Sequence, residues 1–254
     1  MAFSSRSYAP RGFSSGSLPP GVKWLLIVNT ALFVLYFIAS QLGAGPAFSW
    51  LSLVPRRAVE GLEIWRVFTY LFLHDPFGFW HILLNMLTLY MFGADLERQW
   101  GTERFLRYYF LCGVGAGLCV IVATYLFGNP NQATIGASGA IYGLLLAFGM
   151  MYPDRPILFS FLFPIPAKYF VMILGGIAFL STFGAAGSGV SHVAHLGGML
   201  FGFGYFRSGA ARRSAGPQLR GPGLVAQFDQ WYKEWKLRRA KRKFEVYLRK
   251  HRDD

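Results

Sequence analysis

Ser138 stands in the run Thr134-Ile-Gly-Ala-Ser-Gly-Ala-Ile-Tyr-Gly143, with Gly136 two residues before it and Gly139 directly after, where an apolar stretch begins. A serine hydroxyl becomes a useful nucleophile only when a base takes its proton and fixed donors receive the charge created by its attack. Gly136 and Ala137 leave the backbone free to turn tightly. A helix that starts at Ser138 has its first amides unpaired, and the positive end of its dipole points the same way. The Ser138 N–H could then steady an oxyanion while its hydroxyl attacks a carbonyl. A plainer reading competes: Gly139 and Gly143 have the Gly-x-x-x-Gly spacing of packed membrane helices.

A base must come from elsewhere. The chain has five histidines, and His195 lies in Ser191-His-Val-Ala-His-Leu-Gly-Gly198, inside an apolar run. An ionisable residue within a span is a functional candidate by default. Gly198 and Gly202 repeat the small-residue spacing seen at Gly139 and Gly143. Two such faces can meet backbone to backbone, which would bring His195 to Ser138. His81 and Asn85 are four apart and share a helix face; both can donate to an oxyanion, or simply cap a helix end. Tyr142, one turn after Ser138, could stack under the His195 ring or fill the core. His74 and His192 are expected in loop or rim positions. His192 and His195 could also share a metal with His81 or His74, but no His-Glu-x-x-His motif is present. All 12 acidic residues fall in loops, span ends or tails, which disfavours a paired-aspartate mechanism and any third carboxylate behind a Ser–His dyad. No cofactor is expected and no metal is assigned.

The elements that must position these groups are set by composition. Of 254 residues, 54% are hydrophobic, 18% aromatic and only 15% charged, against about 25% charged in soluble domains. This predicts an all-α polytopic membrane protein. Apolar runs predict six spans: Val22–Leu42, Trp80–Gly93, Tyr108–Phe127, Ser138–Tyr152, Ala167–Phe183 and Ser191–Phe206. The fourth is short for a full crossing, which places Ser138 below the surface, at the floor of a cavity. Residues 43–79 form a long connection rich in Trp, Phe and Pro, expected to lie in the membrane interface. Pro156 to Pro166 is too short to span. Cys112 and Cys119 are seven residues apart on one stretch, a rise of about 10 Å on a helix, too far for a disulfide.

Charge sets the orientation. The formal charge of +13 would suggest nucleic acid only in a soluble chain. Here 14 of the 25 basic residues lie from Arg207 onward. The connections after the second and fourth spans carry Arg98, Arg104, Arg107, Arg155 and Lys168, whereas 128–137 and 184–190 carry no Lys or Arg. The positive-inside rule then puts both termini in the cytoplasm, and the expected location is a bacterial plasma membrane. Three regions follow: a Ser/Gly/Pro-rich disordered tail over 1–20, a six-span domain over 21–208, and a basic segment over 209–254. In that last segment Leu224–Leu248 reads as a helix, either solvated or lying on anionic lipid. The tail composition is also shared with organelle transit peptides.

Taken together, Trp65-Arg66, His81-x-x-x-Asn85, Glu97-Arg98, Gly136-Ala-Ser-Gly139 and Ala194-His195-x-x-Gly198 resemble the rhomboid family of intramembrane serine proteases. The likeness runs from about Trp65 to Phe206. It implies a six-helix bundle that cleaves transmembrane substrates near the outer side of the bilayer, at small residues in helices that unwind easily. By position it implies Ser138 as nucleophile, His195 as base, His81, Asn85 and the Ser138 amide as the oxyanion site, and Tyr142 as support for His195. Substrate would enter sideways from the lipid past the fifth span. Inactive relatives often lose the serine or carry proline before it; here Ala137 precedes Ser138. Two rivals remain at this stage. One is a silent rhomboid-like protein that holds transmembrane clients. The other is a transporter, which would need ionisable pairs along several spans.

Overall fold

The computed structural model describes residues 17–159, 163–182 and 189–208. The basic segment 209–254, with the helix expected over Leu224–Leu248, lies outside the described residues, as does most of the tail over 1–20. The chain is mostly helical. Helix α1 spans Pro20–Gln41. Residues 43–79 then fold into short pieces: a 3-10 turn at Gly45–Leu51, α2 at Pro55–Val59, α3 at Arg66–Thr69, and a second 3-10 turn at Tyr70–Phe72. Helix α4 (Phe79–Thr88) passes through a π turn at Leu89–Gly93 into α5 (Ala94–Trp100). Helices α6 (Thr102–Phe127), α7 (Ser138–Met151), α8 (Ala167–Thr182) and α9 (Gly189–Arg207) complete the bundle.

One expectation changes, and one short hairpin is added to an otherwise helical chain. The second apolar helix does not stop at Gly93. It continues to Trp100, so Asp95, Glu97 and Arg98 are helical rather than part of a connection. The reason is visible at Glu97, which is buried. Its carboxylate accepts the Gly21 and Val22 amides at 2.8 and 2.7 Å and the Thr102 hydroxyl at 2.7 Å. It thereby caps α1, whose own Pro19 offers no side-chain cap. The chain is also not purely helical. Pro156–Phe159 (β1) pairs antiparallel with Phe163–Pro166 (β2). With two strands both are edges, so their prolines cost no interior ladder bond. Arg155 with Asp95 (2.7 Å) and Lys168 with Asp154 (2.8 Å) flank this hairpin.

The outward faces are apolar. Trp24, Leu35 and Ile38 on α1 and Met172, Phe179 and Leu180 on α8 are exposed. Helices α1 and α6 have the length and apolarity to cross a bilayer, and α7 and α8 are shorter apolar helices. This is the surface of a membrane protein.

Inside, α9 packs most extensively on α6 and α7. The packing is backbone-close. A methyl group on Gly198 would sit 1.9 Å from the Gly139 carbonyl oxygen, and one on Gly139 would sit 2.6 Å from the Ala116 Cβ. One on Gly197 would meet the Cys119 Cβ at 2.7 Å. Two buried phenols tie the helices where small residues expose carbonyls. Tyr108 donates to the Gly143 carbonyl and Tyr70 to that of Gly113, both at 2.7 Å. Residues 43–79 are organised by Arg66, whose side chain is wholly buried. Its guanidinium donates to the Ser49 and Ser52 carbonyls at 2.5 and 2.7 Å and pairs with Glu63.

Two stability predictions follow from these contacts. Arg66→Ala leaves Glu63 and the Ser49 and Ser52 carbonyls without their partner. Breaking such a pair costs about 3–5 kcal/mol, so thermal unfolding in detergent should occur several degrees lower. Arg66→Lys should recover only part, because an ammonium lacks the guanidinium fork; an unchanged melt for the alanine variant would mean that residues 43–79 are held by something else. The second concerns Gly198. The 1.9 Å approach to the Gly139 carbonyl leaves no room even for a methyl group. Overpacking of this kind costs about 1–3 kcal/mol. Both variants should melt early, while Leu200→Val, at an exposed position, should melt as wild type.

Candidate active site

The site is built at the start of α7. Gly136 has φ +118°, a conformation that other residues rarely adopt. Its position is crowded as well: a Cβ there would lie 3.0 Å from His81 Cε1. Its amide donates to the Tyr70 carbonyl at 2.9 Å. Two residues earlier, Thr134 and Leu53 exchange backbone hydrogen bonds of 2.8 and 2.9 Å as an isolated antiparallel bridge. The approach to α7 is thus pinned by residues 43–79. Helix α7 then opens at Ser138, whose amide lies among the unpaired N–H groups of the first turn.

From α9, His195 reaches across 57 positions of sequence, and its Nε2 lies 2.9 Å from the Ser138 hydroxyl oxygen. That is hydrogen-bond distance for a nucleophile and base. Tyr142 stacks on the His195 ring, with centroids 4.1 Å apart and planes 4° from parallel, so the stacking alternative describes it and the core-filling one does not. His81 and Asn85 of α4 line the same cavity of ≈ 230 Å³ as Ser138, Tyr142 and His195. Asn85 is buried, and its Nδ2 has no hydrogen-bond partner among the described residues. Gly139 and Gly198 lie beneath the pair and set the α7–α9 separation.

His74 lies in a loop, one of the two positions expected for it, but not on a rim. It is fully buried, with its ring 5.3 Å from that of His81. Burial, and then the neighbouring His81, hold its imidazole down at about 4, so it is neutral at pH 7. Its position seven residues before His81 gave no sign of this, because the enclosing groups come from distant segments. Tyr70 also went unread. It lines the cavity, holds Gly136 through its carbonyl and Gly113 through its hydroxyl. A tyrosine in an aromatic-rich connection carries no signal for either bond. His192 is half-buried beside His195. Among the described residues, no three His, Cys, Asp or Glu side chains are placed to share a metal ion.

The arrangement offers a hydroxyl with a base at hydrogen-bond distance, unpaired N–H donors around one cavity, and a wall of aromatic and small residues. Chemically it can take a proton from the serine and stabilise an oxyanion formed beside it.

Comparison with known proteins agrees on the family. The family description "Rhomboid domain" matches residues 61–210. The chain is 30% identical over 178 residues to "Rhomboid protease GlpG" of Haemophilus influenzae, covering 70% of this chain and 86% of that protein. It is 31% identical over 188 residues to "Putative rhomboid protease YdcA" of Bacillus subtilis, covering 73% and 86%. A more distant match in extent is "Rhomboid protein 1, mitochondrial" of Saccharomyces cerevisiae, 31% identical over 156 residues, 57% of this chain and 43% of that one. The match spans α3 to α9 and with them every residue of the cavity named above, and the chain belongs to the rhomboid family.

Proposed function

We propose that this protein is an intramembrane serine endopeptidase that cleaves transmembrane segments of other membrane proteins. One observation carries the proposal: the 2.9 Å approach of His195 Nε2 to Ser138 Oγ at the edge of a cavity inside a membrane protein. Ser138 attacks the scissile carbonyl and His195 takes its proton, later returning it to the leaving amine. His81, Asn85 and the Ser138 amide receive the oxyanion. The unpaired Nδ2 of Asn85 supports that assignment, since a donor kept free in a buried place is costly unless it is used. Tyr142 holds the His195 ring, and Gly136, Gly139 and Gly198 set the backbone approach.

In this reading six spans over residues 21–208 form the catalytic domain, with 1–20 as a tail and 209–254 as a basic cytoplasmic segment that meets anionic lipid. Both termini are cytoplasmic, Ser138 opens to the other side, and the membrane is a bacterial plasma membrane. Substrate arrives laterally. A spanning helix hides its carbonyls in hydrogen bonds, so substrates with helix-breaking residues near the cut are favoured.

Ser138→Ala should abolish cleavage of a single-span substrate in detergent or liposomes and abolish labelling by a fluorophosphonate, with little change in thermal unfolding. Labelling of wild type separates the enzyme from a silent binder of transmembrane clients; a folded wild type that neither labels nor cleaves would support the silent reading. Asn85→Ala and His81→Ala each remove one oxyanion donor, a loss of about 10²–10³ in turnover where such donors have been removed. Turnover should fall far more than substrate affinity. A change confined to affinity would remove that residue from the oxyanion site.

A further inference from the structure

We infer that His192 is a positioning residue for His195, acting as a second wall that fixes the orientation of the base. The inference rests on the Ser138–His195 reading and extends it.

In a Ser–His site the imidazole must present one nitrogen to the hydroxyl and stay there, which a third group behind the ring commonly ensures. Here no carboxylate lines the cavity, and the buried Nδ1 of His195 has no partner among the described residues. Among the described residues, no hydrogen bond behind the ring holds it. Ring packing does. Tyr142 lies flat against His195 and resists tilting. A single flat neighbour still allows the imidazole to slide within the stacking plane.

His192, three residues earlier on α9, closes that freedom. Its ring stands at 82° to that of His195, with centroids 5.8 Å apart. This is the edge-to-face geometry that aromatic rings favour. His192 Nδ1 is likewise buried and has no partner among the described residues. The base is then boxed by a parallel ring from α7 and a perpendicular ring from its own helix. The other groups around His195 are Ser138, which it serves, and His81 of α4, across the cavity. Neither restrains the plane of the ring. A metal role for the His192–His195 pair lacks a third ligand among the described residues.

An edge-to-face pair of this kind and a small misplacement of a reacting group together give an expected loss of about five- to tenfold. With a single-span substrate in detergent, His192→Ala should lower kcat by that factor, leave KM within about twofold, and slow fluorophosphonate labelling in parallel. Thermal unfolding should not move. His192→Phe restores a flat perpendicular ring without a titratable nitrogen and should recover most of the rate. If His192→Ala does not fold, His192→Leu replaces it in the comparison: leucine fills the space without a flat edge and should remain slow beside phenylalanine. Wild-type kcat in the alanine or leucine variant, or a phenylalanine variant as slow as they are, overturns the inference. Ser138→Ala and wild type run alongside. A wild type that neither cleaves nor labels overturns the protease reading and this one together, whereas an active wild type with an indifferent His192 overturns this one alone.

Discussion

The close approach of two helix backbones, at Gly198 and Gly139, is the contact on which the rest depends. Lipid tails are as apolar as the helix faces they surround, so no hydrophobic drive presses α7 against α9. Contact must come from dispersion, which falls off within a fraction of an ångström. Glycine provides it by removing everything between the backbones. The 1.9 Å that a methyl group on Gly198 would leave to the Gly139 carbonyl measures how completely the space has been used. Gly198 lies one turn from His195, and Gly139 directly follows Ser138. The contact that holds the helices is therefore adjacent in sequence to both Ser138 and His195, so helix packing and the placing of these two side chains share one surface.

That contact fixes the body of α7, but not the loop that enters it. The turn at Gly136 is irregular backbone packed among buried residues, where its polar groups must be paired. Residues 43–79 pair them. Leu53 takes both backbone groups of Thr134, and the Tyr70 carbonyl takes the Gly136 amide. Arg66 in turn holds the 3-10 turn that precedes Leu53, through Ser49 and Ser52. A buried guanidinium some seventy positions before the serine thus shapes the turn that aims it, through two sets of backbone hydrogen bonds.

The residues legible in the sequence are those whose signal is local or periodic. Ser138 between glycines, His195 within an apolar run, and the limits of α1, α7, α8 and α9 could be read to within a few residues. What could not be read depends on partners far along the chain. The fold of residues 43–79 rests on carbonyl contacts, which any residue can supply. The burial of His74 depends on what closes over it. The continuation of α4 past Gly93 into α5 rests on Glu97 capping a helix 76 positions earlier. The β1–β2 hairpin sits in a stretch whose apolar composition suits strand, helix or loop. Its prolines favour loop or edge strand, and pairing at an edge resolves the choice.

The distribution of unsatisfied polar groups adds a further step. Away from the site, buried polar side chains mostly serve the fold: Glu97 caps α1, Tyr108 ties α6 to α7, and Arg66 organises a segment. Among the described residues, Asn85, Thr134 and His195 line the cavity with buried side-chain atoms that no other described group pairs, and His192 adds one beside His195. Others lie outside it, on Asn29, Arg66, His74 and Tyr109. A polar atom that faces a cavity can be met by water or by a ligand, whereas one sealed in apolar packing costs roughly 1–3 kcal/mol. Donors already oriented and not bound to each other can meet developing charge without first breaking a bond. The glycine contact between α7 and α9 is what keeps these groups in place around the cavity.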